Sequence, residues 1–126
     1  MFKYIVLSIF MLSHSALLEV TADTLPDPLA AGWQGQKVCE KLHEDSKQRV
    51  LRCTFPPGVG HEKHFHAPNF GYTVQGGKVK ITDAKGIRKV EIKTGDSHVS
   101  ANGTKWHEIV NVGDTTIIYL VLEVKP

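Results

Sequence analysis

Turn-forming residues recur along this chain so closely that a helix of ordinary length has no room between them. From the middle of the sequence onward the breaks are Pro56-Pro57-Gly58-Val-Gly60, Ala67-Pro68-Asn69, Gly76-Gly77, Asp83-Ala-Lys-Gly86, Thr94-Gly95-Asp96, Ala101-Asn102-Gly103 and Gly113-Asp114. Proline fixes φ and has no N–H to give to a ladder, glycine reaches positive φ without steric cost, and asparagine and aspartate bond to their own backbone. Each cluster therefore ends the regular structure before it. What lies between alternates as a half-buried strand does. Val79 and Ile81 share one face, Lys78 and Lys80 the other, and Val90 and Ile92 point inward along Ile87 to Lys93. Phe70 to Gln75 and Lys78 to Thr82 flank Gly76-Gly77, which reads as a two-residue hairpin turn, and Trp106 to Val112 meets Thr115 to Val124 at Gly113-Asp114. Short strands with a turn signal about every eight to twelve residues, and no sustained helical period, predict an all-β antiparallel sandwich or barrel. Ile117-Ile-Tyr-Leu-Val-Leu-Glu-Val124 is apolar on both faces, so it lies at the centre of the fold or under a second subunit.

The amino-terminal end follows another pattern. Met1-Phe-Lys3 supplies a charge, Tyr4 to Leu12 an apolar run, and Val20-Thr-Ala22 the small residues that suit a signal peptidase, so residues 1–22 read as a signal peptide. Ser8, Ser13, His14 and Ser15 leave the apolar run too short to span a bilayer, so no stable membrane anchor is expected. The product is then exported, periplasmic or secreted. Residues 23–36 continue as an extended segment, because the prolines of Asp23-Thr-Leu-Pro-Asp-Pro28 forbid regular pairing; a short helical turn is available at Leu29-Ala-Ala. Trp33 to His43 reads as the first strand and Arg49 to Phe55 as its partner, with residues 37–126 as a single barrel domain. Removal of the signal leaves about a hundred residues, enough to bury one core. The formal net charge is only +2, with lysines and arginines scattered among acids, so nucleic acid is not an expected partner.

Cys39 and Cys53 are the only cysteines, and disulfides persist in exported proteins. If residues 37–43 and 49–55 form a hairpin around Asp45-Ser46-Lys47, the two fall opposite one another and a cross-strand bridge is predicted. Buried thiols and soft metal ligands are the alternatives; no Cys-x-x-Cys spacing marks a redox-active pair.

In a strand, His64 and His66 present two imidazoles to one cavity while Phe65 faces the other way. His107, from another strand, closes a facial set of neutral nitrogen donors around a divalent ion and leaves positions open for water or substrate. Asn69 offers a carbonyl oxygen as a fourth ligand, or serves as an ordinary turn residue. Glu62, two residues before His64, is a reserve carboxylate, as ligand or as general base. His61 points to the opposite face of a regular strand and reads as a surface histidine, and His43 and His98 read as solvated. Tyr72 and Trp106 flank the site in sequence and read as rim or core residues.

Gly58, five intervening residues, His64-Phe-His66 and then Tyr72-Thr-Val-Gln-Gly76 resemble the first motif of the cupins. Gly95 to Asn111, with Gly103, His107 and Asn111, resembles the second. The resemblance spans residues 37 to 124. It implies a small jelly-roll β-barrel with a divalent transition metal at its mouth, commonly iron, manganese, zinc or nickel, and a homodimer with edge strands paired between subunits. This chain departs from the pattern in three places. Asn69-Phe-Gly71 stands where the family has its glutamate, Ala101 replaces a proline, and one extra residue lies between Gly103 and His107.

Without that glutamate, neutral donors leave the double charge of an ion uncompensated, which lowers the pKa of bound water and attracts anions. The expected function is a metalloenzyme, of oxygenase or isomerase/lyase type, acting on a small anionic metabolite. A barrel that holds a metal or metabolite without turnover is the alternative.

Overall fold

A computed structural model describes residues 24–126; the signal peptide expected over residues 1–22 lies outside the described residues. Eleven strands form among them: β1 (Gly32–Trp33), β2 (Gln36–Lys37), β3 (Cys39–Glu44), β4 (Gln48–Phe55), β5 (Gly60–His66), β6 (Asn69–Gln75), β7 (Gly77–Asp83), β8 (Gly86–Ile92), β9 (Ser97–Ser100), β10 (Thr104–Asn111) and β11 (Ile117–Val124). One sheet has the order β5-β10-β7-β8, a second has β3-β4-β11-β6-β9, and β1 and β2 make a small ribbon. The two larger sheets enclose the core as the expected all-β jelly-roll barrel does. No helix among the described residues is long and apolar enough to cross a membrane.

The chain changes sheet more often than its turns suggest. β6 pairs with β11 and β9, whereas β7 pairs with β10 and β8. Gly76-Gly77 therefore carries the chain from one sheet to the other instead of closing a hairpin, and Gly113-Asp114 does the same between β10 and β11. The requirement for glycine is one of close approach: a Cβ on Gly77 would lie 2.8 Å from both Ile117 Cγ1 and Thr115 Oγ1. Asp83-Ala84-Lys85-Gly86 is a true hairpin turn between β7 and β8. So is the link from β3 to β4, where Asp45 Oδ1 accepts the N–H groups of Lys47 at 2.7 Å and Gln48 at 3.0 Å.

The reading of Trp33 to His43 as one strand needs correction. Gln34 (φ 49°) and Gly35 (φ 80°) form a turn, and β1 folds back on β2 with Trp33 opposite Gln36. Positive φ at both central residues gives a turn whose twist matches that of a hairpin. The preceding segment does not trail from the barrel. Pro28 and Ala31 are buried, and the Phe65 N–H donates to Pro26 O at 3.2 Å. The helical turn expected at Leu29 is present, with the Ala31 N–H donating to Asp27 O at 2.9 Å. Arg49 ties this segment to the larger sheet, donating to Asp27 Oδ2 and Glu123 Oε2, each at 2.8 Å.

Cys39, Cys53, Phe55, Val79 and Ile117 make the centre of the core, with Ile81, Ile92 and Ile109 packed against them. Cys39 lies opposite Cys53 in the β3–β4 register, and the two form a disulfide, as the hairpin predicts. Their sequence separation is 14; closing a loop of this size stabilises a fold by about 3 kcal/mol in the chain-entropy model. The Cys39→Ala/Cys53→Ala variant should lose about that much in urea unfolding. A loss below about 1 kcal/mol would show that core packing holds the hairpin without the bridge. β11 occupies the middle of the five-stranded sheet, with Ile117 and Val121 in the core and Ile118, Leu120 and Leu122 half-buried on the outer face. It is both central and apolar on the outside.

Candidate metal centre

His64 and His66 lie on β5 and His107 on β10, the strand paired with it. The antiparallel register sets His107 opposite His64 and Thr104 opposite His66. Three residues of β10 thus span two of β5, a bulge that absorbs the extra residue between Gly103 and His107. Without it the alternation along β10 would turn His107 to the other face.

The three rings converge through their Nε2 atoms. His64 to His66 is 3.0 Å, His66 to His107 is 3.0 Å, and His107 to His64 is 3.1 Å. Nitrogens about 2.1 Å from a common ion and at right angles to one another would be about 3.0 Å apart, so this triangle has the dimensions of one face of an octahedral site. The donor chemistry agrees. His64 Nδ1 is 2.6 Å from Glu62 O; a carbonyl oxygen only accepts, so the proton sits on Nδ1 and Nε2 presents a lone pair. With His64 unable to donate, N–H···N bonds cannot satisfy all three edges of the triangle, whereas one cation satisfies them together. The three histidines could hold a divalent metal, and among the described residues they are the group of His, Cys, Asp or Glu donors that meets in this way.

Burial keeps the imidazoles neutral, as ligands must be. It pushes His66 down to about 2, with His107 and then His64 adding to the shift. His107 is pushed down to about 4 by burial and by His64. His64 is lowered by burial as well.

His61 departs from the sequence reading. It is 2% exposed, stacked on His64 with ring centroids 3.7 Å apart, and its Nε2 donates to Pro28 O at 2.9 Å. The cause is a second bulge. From His107 to Ile109 on β10 the partner strand runs from His64 to His61, three residues against two. The extra residue on β5 brings His61 to the same face as His64 and leaves both Glu62 and Lys63 outside. Burial, then the His64 ring, pushes His61 down to about 3.

Glu62, Tyr72 and Trp106 do not join the triangle. Glu62 is exposed, and its Oε1 accepts the Gln34 N–H at 3.0 Å on the outside of the barrel. Asn69 lines the same cavity as His66 and His107; its Nδ2 donates to Ala67 O at 2.8 Å, a bond that does not involve its Oδ1. Tyr72 is 41% exposed on the outer face of β6. Trp106 stands at the bulge with Lys63 Nζ 4.3 Å from its ring centroid, a cation–π contact. His98 lies within the cavity wall, and His43 is bonded to Asp45 at the surface.

Asp83, Arg88, Thr73 and Tyr119 also line that cavity, and none of them stood out in the sequence. Arg88 was open to detection, since it alternates with Val90 and Ile92 on the inward face of β8. Arg88 Nη2 donates to Asp83 Oδ2 at 2.9 Å, and the Asp83 carboxyl, which also accepts the Lys85 N–H at 2.9 Å, is held below the usual carboxylate range by Arg88 first and Lys85 second.

No family model matches this sequence, and no curated protein does. Solved structures do match. A cupin domain from Bordetella pertussis Tohama I has a TM-score of 0.64 at 19% identity, covering 83% of this chain and 100% of that one. A conserved protein with a double-stranded β-helix domain from Klebsiella pneumoniae gives 0.59 at 20% identity, over 74% of this chain and 79% of that one. A predicted oxalate decarboxylase from Thermotoga maritima gives 0.50 at 25% identity, over 69% and 81%. Similarity at this level identifies the architecture.

Proposed function

We propose that this chain, a cupin in its fold, is an exported metalloprotein that binds one divalent transition metal (iron, manganese, zinc or nickel) through His64, His66 and His107 and acts on a small anionic metabolite. The reading rests on one observation, the Nε2 triangle with edges of 3.0, 3.0 and 3.1 Å. A bound ion supplies Lewis-acid polarisation of a ligand oxygen, or redox chemistry of the oxygenase type if the metal is iron. The chain's own residues orient and attract. His64 is fixed by its Nδ1–H bond to Glu62 O and by the His61 ring beneath it. Because all donors are neutral, a bound ion would keep its positive charge, and Arg88, paired with Asp83, has its remaining N–H groups to offer at the same cavity. Calorimetry on the metal-loaded protein should therefore show small carboxylates binding at least about tenfold more tightly than their amides. Equal affinities would contradict the anionic-substrate reading.

A barrel that binds without turnover has one observation in its favour. Glu62 lies outside the cavity and Asp83 is engaged by Arg88, so neither stands free as a general base beside the histidines. Consumption of an acidic metabolite, followed by NMR, separates the two readings.

Export is supported by the buried disulfide, which suits an oxidising compartment. A homodimer is supported by the apolar outer face of the five-stranded sheet, where Phe70 is 43% exposed, Val99 69% and Val124 56%. Light scattering on the eluted chromatographic peak should give twice the chain mass at micromolar concentration; a monomer there would end the dimer reading.

A further inference from the structure

β8 ends one sheet and β9 ends the other, and the barrel stays open between them. A cavity of about 780 Å³ enters through this gap and reaches the core. Protein interiors are close-packed, and a space of this size falls within the range of pockets that hold small organic molecules. Its wall changes character with depth. At one side stand His66, His107 and Arg88 with its partner Asp83; Phe55, Val79, Ile117 and Val121 line the interior with carbon. Arg88 reaches the cavity because Ile81, an inward residue of β7, is its cross-strand neighbour.

His61, Asn111 and Tyr119 bring polar atoms to the apolar part as well, and one further polar atom there is left without a partner. Thr73 is 1% exposed, and its Oγ1 has no hydrogen-bond partner among the described residues. Thr73 faces inward on β6 directly opposite Tyr119 of β11, and both line the cavity. The Tyr119 side chain reaches over Gly71, where a Cβ would come within 2.8 Å of Cε1 and closer still to the hydroxyl. A buried hydroxyl without a partner is costly. An occupant that reached Thr73 would remove that cost, whereas a second anionic group among Phe55, Val79, Ile117 and Val121 would meet carbon and neutral polar groups, with no cation to pair it.

We propose that this cavity binds a carboxylic acid with one carboxylate, an apolar body about the size of a phenyl ring, and a neutral hydroxyl or carbonyl at the far end. The carboxylate lies toward the histidine cluster and Arg88, the body against Phe55, Val79, Ile117 and Val121, and the far polar atom against Thr73 Oγ1. The placement of the carboxylate rests on the metal reading; the apolar wall and Thr73 stand independently of it.

The test is calorimetry on the full chain, loaded with zinc, against acetate, oxalate, phenylacetate and 4-hydroxyphenylacetate, with Thr73→Val and Arg88→Gln variants in parallel. Phenylacetate should bind at least about 30-fold more tightly than acetate, from burial of the ring. The 4-hydroxyl should add about fivefold. Thr73→Val should erase that fivefold preference while leaving phenylacetate unchanged, which also reports an intact fold. Arg88→Gln should weaken every carboxylate by a similar factor. The proposal is overturned if acetate or oxalate binds within about threefold of phenylacetate, or if the preference for the 4-hydroxyl survives in Thr73→Val. Zinc content measured on the same samples separates the two readings. Zinc retained with a flat acid series overturns the cavity site alone, and absence of zinc from every sample overturns the metal reading, with the same acid series on metal-free protein still deciding the ring and Thr73 contacts.

Discussion

His66→Ala should weaken binding of a divalent transition metal by more than about 100-fold at pH 7, because changes confined to groups behind the ligands already cost about 10- to 100-fold. The variant deletes two of the three edges of the Nε2 triangle, those to His64 and His107, both 3.0 Å. What remains is a two-nitrogen pair, with Glu62 outside the barrel and the Asp83 carboxylate taken up by Arg88. Competition with a chromophoric chelator measures the loss, and His43→Ala, which removes a surface imidazole bonded to Asp45, is the control that should leave affinity unchanged. An affinity for His66→Ala within about threefold of the parent would mean that the metal binds elsewhere.

The metal-free protein should be unusually sensitive to mild acid. His61, His66 and His107 are pushed down by burial to about 3, 2 and 4, while in the unfolded chain each returns to an ordinary value near 6.5. The unfolded state therefore binds more protons below that value, and stability increases with pH. Their contribution is fully present above about pH 6.5, and it falls as the pH drops from there toward the folded values. One unit below 6.5, each histidine has forfeited about 1 kcal/mol and the three together a few kcal/mol, a large part of what a small domain possesses. Urea titrations of metal-free protein at pH 7.5 and 5.5 should differ by about this amount. Metal-loaded protein should start higher and fall along a similar slope, since bound ligands take up no protons in the folded state either. Equal stability at the two pH values would contradict the buried, neutral cluster.

Much of this arrangement was open to reading in the sequence, for a physical reason. Strand alternation has a period of two, so His64-Phe-His66 announces two rings on one face, and the cysteine spacing around Asp45-Ser46-Lys47 announces a cross-strand bridge. What escaped was whatever depends on a break in that period. The bulge opposite His64 to His61 turns a nominally outward histidine into a buried one and turns Glu62 out, and nothing local in Gly60-His-Glu-Lys-His marks where the extra residue will fall. The bulge before His107 left a trace, the extra residue after Gly103, yet only pairing with β5 shows that it restores the ring to the site. Gly76-Gly77 looks like a hairpin turn because two glycines serve a tight turn and a sheet crossing equally well; the difference lies in Ile117 and Thr115, forty residues away along the chain. Thr73, Tyr119 and Arg88 line one cavity only once β6, β11 and β8 have been placed.

The central claim, that His64, His66 and His107 hold one divalent metal ion, is tested most directly by elemental analysis of the protein purified from its native compartment, beside the His64→Ala/His66→Ala/His107→Ala variant. One equivalent of a single transition metal in the parent and none in the folded variant is the predicted result. A parent without metal, or a variant that retains it, would contradict the account.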